Sequence, residues 1–142
     1  MHRNPTLPEP KLGWGPFIAA KLIEIACGLT GLIVFAVVFP ADYIPMTAEA
    51  GILSIIGGAI FVSLMYFVYF GYLIVSIAIF GVSKLIIQSS KLMSAVLASV
   101  FGVHAAIVAV WADYLKPSFA FFIAVMAISS YLIHRYAFQK LA

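Results

Sequence analysis

Carboxylates and thiols are what this chain has least of: its 142 residues hold five acids and a single cysteine, Cys27. One cysteine excludes a disulfide within the chain, and its place inside an apolar run reads as a small filler side chain. Charged residues make up only 9% of the sequence, against about 25% in soluble globular domains. No Gly-rich phosphate loop occurs, no Ser or Cys stands beside a usable base, and no carboxylate pair can be assigned to one site. The sequence therefore predicts no catalysis. The net charge is +3, but no run of Lys and Arg is long enough for nucleic acid or a polyphosphoinositide.

What is present is apolar. Hydrophobic residues reach 65% and the mean hydropathy is +1.15. These values predict an all-α integral membrane four-helix bundle, whose length is used up by about four spans. Residues 1–15 hold three prolines and no apolar period, and are expected to form an irregular arm. The transmembrane domain then fills 16–142, with spans at about 16–39, 51–82, 92–112 and 118–134. The first apolar run is too long for a signal peptide and lacks a small-residue cleavage site, so it is expected to be retained. Trp14 and Phe17 stand where an interfacial aromatic belt belongs.

The second span would be about 48 Å long against a hydrocarbon core of about 30 Å. It must tilt, bend or project, and Gly57-Gly58 and Gly71 are the bend points on offer. A tight polar hinge is expected over Ser83–Lys91. Arg3, Lys11, Lys21, Lys84, Lys91, Arg135 and Lys140 fall on one side of this layout and only Lys116 on the other. The positive-inside rule then places both termini and the hinge in the cytoplasm.

Ionisable residues inside apolar helices are functional hypotheses by default. Lys21, Glu24, Gly28 and Gly31 fall within an arc of about 80° on the first helix, so this face is expected to point into the bundle. The structural reading is that Lys21 reaches toward the interface and pairs with Glu24. The second helix offers Tyr66, Tyr69, Tyr72 and Ser76 at the same depth, the last three at helical spacing; either their hydroxyls satisfy Glu24, or the tyrosines serve as packing and interfacial aromatics. His104 lies mid-helix on the third span, about 140° from the small residues described next, and is expected to serve a second contact surface or a partner. It has no His or Cys at ligand spacing, so neither metal nor cofactor is predicted. His2 and His134 read as solvated end positions. Ser94, Ala98, Gly102 and Ala106 place a small residue at every fourth position, a stripe that lets another helix approach closely.

The string KLIEIACGLTGLIVFAVV, a base, an acid three residues on and a Gly/Ala-rich run, resembles the opening helix of MARVEL-domain proteins. The short second-to-third loop, small-residue third helix and basic tail are similar too. The resemblance implies a four-span protein with cytoplasmic termini that organises membrane or partner proteins in trafficking or membrane apposition, with no catalysis. Its expected partners are the lipid bilayer and other membrane proteins or a second copy, in a plasma or vesicle membrane. The competing expectations are a small proton-coupled transporter using Glu24 and an accessory or anchor subunit of a larger membrane complex. Lys21, on the same face as Glu24, argues against the transporter. No internal repeat marks an inverted-repeat architecture.

Overall fold

A computed structural model describes residues 12–40, 42 and 51–141. Most of the expected arm and of the Pro40–Glu49 connection lies outside the described residues. The rest is helical: α1 (Trp14–Val38), α2 (Ile52–Leu64), a π-helical turn (Met65–Tyr69), α3 (Tyr72–Ser83), α4 (Ser90–Trp111) and α5 (Pro117–Lys140). Four of these stretches are long and apolar enough to cross a membrane, with mean hydropathies of 2.1, 2.1, 2.1 and 1.6.

Local chemistry sets the ends. Pro16 sits in the first turn of α1, where its missing N–H has no helical partner to lose. Pro40 follows the C-cap residue Phe39, whose N–H closes the helix onto the Phe35 carbonyl at 2.8 Å. The Ser89 hydroxyl accepts from Leu92 N–H at 3.3 Å and caps α4, so this helix begins at Ser90, two residues before the expected start. Pro117 occupies the first position of α5.

The last helix extends six residues beyond the expected end at His134. Ala137 and Phe138 lie three and four residues after His134 on the same buried face, and that contact carries the helix on to Lys140.

The second pass breaks once, at Gly71. Phe70 N–H bonds the Met65 carbonyl at 2.8 Å, five residues back, and Gly71 takes φ 72°, ψ 20°, the left-handed region that a Cβ disfavours. Gly57-Gly58 does not break the helix. Gly58 and Ala59 are instead buried on an unbroken stretch of α2.

The break sets the architecture. α5 packs most extensively against α4 and next against α1; of the broken pass, α2 leans on α1 while α3 leans on α4. Helices α1 and α5 run antiparallel, bringing Glu24 to Ser130, Gly28 to Met126, Gly31 to Phe122 and Phe35 to Phe119. Near the chain termini, Phe17, Phe80, Met93, Leu97 and Phe138 form one apolar cluster; farther along, Phe67, Tyr72, Phe101 and Met126 form another. Phe17 is thus a core residue, 1% exposed, stacked on Phe80 at 4.3 Å between centroids; of the two expected belt aromatics, Trp14 alone is exposed.

Candidate functional site

Between the two apolar clusters lies a layer of buried polar side chains. α1 supplies Lys21 and Glu24, one turn apart on its inner face. Lys21 Nζ lies 3.3 Å from Glu24 Oε2 and donates to the Tyr72 hydroxyl at 2.7 Å. The same ammonium sits 4.7 Å from the centroid of the Tyr72 ring, within cation–π range. From α5, the Ser130 hydroxyl donates to Glu24 Oε2 at 2.8 Å, and His134 Nδ1 stands 3.7 Å from that oxygen. Glu24, Tyr72, Ser130 and His134 are fully enclosed, and Lys21 is 5% exposed.

The proton on His134 is fixed by its neighbour. Nδ1 lies 2.7 Å from the Ser130 carbonyl oxygen, which can only accept, so Nδ1 carries the hydrogen. Its Nε2 is buried without a hydrogen-bond partner. His134 is therefore not the solvated end position expected from the sequence. The antiparallel register sets it beside Glu24, and the continued helix closes over it with Ala137 and Phe138. The sequence does not single out Ser130, and it places His134 at a solvated end. The usable signal was their four-residue spacing on one face of an antiparallel helix.

The expected partners from the second pass divide. Tyr72 joins the layer, whereas Tyr69, on the far side of the break, is 73% exposed. Ser76 is buried, but its hydroxyl makes no hydrogen bond. A buried charge pair is tolerated only when its geometry is good and its remaining valences are filled. Here three helices converge to fill them, which makes the layer a clasp joining α1, α3 and α5.

His104 serves the chain's own break. Its Nε2 lies 2.9 Å from the Phe70 carbonyl oxygen at the end of the π-helical turn, and so carries the hydrogen. The Tyr66 hydroxyl donates to the Phe101 carbonyl at 3.1 Å, a second tie from the turn to α4.

The small residues line helix contacts within the chain. A Cβ on Gly28 would stand 3.4 Å from the Phe67 ring, and one on Gly31 would stand 3.1 Å from both Met126 Sδ and the Phe122 ring. Ser94 and Ala98 are buried, Ala106 is half-buried, and a Cβ on Gly102 would meet the Ala127 methyl at 3.4 Å. Among the described residues no group of three or more His, Cys, Asp or Glu is placed to hold a metal ion. No protein-family model, curated protein or solved structure matches this chain.

Proposed function

We propose that this chain is a non-catalytic, multi-pass membrane protein with both termini and the 84–89 turn in the cytoplasm, which organises membrane or partner proteins through helix packing. One observation carries this reading: Glu24 is completely enclosed, and its oxygens are occupied by side chains of its own bundle, Lys21 and Ser130. A carboxylate so held stabilises a fold. Support for a membrane setting comes from the rim of the bundle, where Leu22, Val37, Ile74, Val103 and Ile128 are exposed on apolar helices. Orientation rests on the seven-to-one distribution of Lys and Arg, and the organising role on the resemblance of the first helix to MARVEL-domain proteins.

A second reading, the proton-coupled transporter, gains one observation. His134 adds another titratable side chain 3.7 Å from Glu24. The deciding experiment adds tetraphenylphosphonium to detergent-solubilised protein and measures released protons, alongside recovery of the protein's native complexes. The organising role predicts no release and unchanged complexes in Glu24→Gln. Release near neutral pH that Glu24→Gln abolishes would establish the transporter. For orientation, a cysteine at position 88 should be shielded from an impermeant reagent on intact cells and one at position 46 should be labelled; the reverse pattern would invert the topology.

A further inference from the structure

Beyond the polar layer, on the side away from the termini, the lean of the broken pass leaves a gap. α2 rests chiefly on α1, whereas α3 packs on α4, and a cavity of about 220 Å³ occupies the space. Its walls come from every pass of the bundle, with Leu32, Phe67, Phe101, Ala105, Phe122 and Met126 among them. Among the described residues no Lys, Arg, His, Asp or Glu lines it.

Among the described residues, the side-chain oxygens on these walls belong to Ser63, Tyr66 and Tyr114. Tyr66 is committed to the Phe101 carbonyl. Ser63 is 7% exposed, and its hydroxyl has no hydrogen-bond partner. Ser76, which is not on these walls, shares this state, whereas Thr30, Ser94, Ser99 and Ser129 each donate to the carbonyl four residues back. A buried hydroxyl left open at the edge of an apolar cavity marks a place where a ligand's own polar atom fits.

We propose that this cavity binds a neutral lipophilic alcohol, a hydrocarbon chain ending in one hydroxyl that pairs with Ser63. Size sets the chain length. A cavity of 150 Å³ takes six-carbon benzene, so the space here takes roughly eight or nine carbons. Charge sets the head group, because a carboxylate or amine would be buried with no counter-ion. Water is a poor occupant, since a buried water needs two to four polar partners and Ser63 supplies one. A plain alkyl chain would fill the volume and leave Ser63 unpaired. The route of entry, laterally between α2 and α4, rests on the membrane placement proposed above; the chemistry of the cavity does not.

The test uses the full chain in dodecyl maltoside with radiolabelled nonan-1-ol and nonane, each corrected for its partition into protein-free micelles. Saturable binding of one nonan-1-ol per chain is expected, at least tenfold tighter than nonane. Ser63→Ala keeps the cavity and should bring the two affinities within about twofold of each other. Ala105→Phe fills the cavity and should bind neither. Should Ala105→Phe fail to fold, Ser63→Ala alone still decides. Non-saturable uptake by the unaltered chain would overturn the proposal. So would equal binding of alcohol and alkane, which would make the occupant a lipid tail, or a preference for the alcohol that survives Ser63→Ala. None of these outcomes depends on the labelling pattern that tests orientation.

Discussion

Near the chain termini, Phe80 stacks on Phe17 at 4.3 Å and on Phe138 at 5.9 Å between centroids, filling the space between α1, α3 and α5 with three parallel rings. Past the polar layer the same passes, now with α2 in place of α3, line a half-open cavity of about 220 Å³. The two regions share composition, helix number and antiparallel register. They differ in where the second pass leans, and that is set over a few residues by the π-helical turn and Gly71. The polar layer lies on the filled side of the change. A charge pair in an apolar interior survives only where its partners are held in place. The aromatic stack beneath Lys21 and Glu24 supplies that constraint, while among the described residues the hollow side has no Lys, Arg, His, Asp or Glu on its walls.

The largest effect should come from removing half of the pair on the filled side. Glu24→Ala leaves the Lys21 ammonium buried with only the Tyr72 hydroxyl, and breaking a buried ion pair from one side costs about 3–5 kcal/mol. Low yield and a steep fall in the detergent unfolding midpoint are expected. Glu24→Gln keeps an acceptor for Ser130 and should lose less. An unfolding midpoint in Glu24→Ala equal to that of the unaltered chain would mean that the filled side does not depend on its clasp.

Two substitutions three residues apart on α4 compare a packed seam with the hollow directly. A Cβ on Gly102 would already touch the Ala127 methyl at 3.4 Å, so the further carbons of leucine overpack the seam, at about 1–3 kcal/mol, and Gly102→Leu should lower thermal stability. Ala105 lines the cavity, and filling a cavity commonly gains about 0.5–2 kcal/mol, so Ala105→Phe should be neutral or stabilising. Equal losses in both would mean that the cavity cannot take a ring.

How much of this was legible in the sequence depends on whether the signal was local. Helix number, the facing of Lys21 and Glu24 with Gly28 and Gly31, and the place of the small stripe all follow from spacing along one helix. The sequence also named Gly71 as a bend point, but could not rank it above Gly57-Gly58, because both look like weak helix until tertiary contacts bury Gly58. His134 was misplaced because Arg135, Gln139 and Lys140 make the tail look solvated, although Ala137 and Phe138 continue its apolar face. The exposure of Tyr69 and the service of His104 to the Phe70 carbonyl both follow from the break, whose direction no periodicity encodes. The cavity was invisible for the same reason.

The break itself sets the next prediction. Gly71 has open space where a Cβ would stand, so Gly71→Ala tests backbone strain and nothing else, at about 1–2 kcal/mol for an L residue held left-handed. If the chain relieves that strain by straightening, α2 must move toward α4, and the His104 bond to Phe70 is lost with the turn. A cysteine pair placed at Ser63 and Ala109 should then crosslink faster in Gly71→Ala than in the otherwise unaltered chain. An unchanged crosslinking rate would mean that His104 and Tyr66 hold the turn in place without help from glycine.

The smallest effect is expected where the hollow half ends. Lys116 Nζ lies 3.7 Å from Asp42 Oδ1 across the two connections at that end, with the side chains 47% and 36% exposed, and Asp42 also accepts from the Ser118 hydroxyl at 2.6 Å. An ion pair that open to solvent is worth about 0–1 kcal/mol and weakens further as salt rises. Lys116→Ala should therefore shift the unfolding midpoint by about a degree or less, a shift that vanishes in high salt. Ser118→Ala removes the shorter contact, which does not need opposite charges and is less screened, so its small effect should persist in salt. The contrast with Glu24 is one of surroundings. Each carboxylate accepts from a serine hydroxyl at the same helix, α5, and faces a lysine, but only Glu24 is cut off from water. A loss on Lys116→Ala comparable to that on Glu24→Ala would show that this end is closed off by the residues around it, and that the hollow half is clasped as firmly as the filled one.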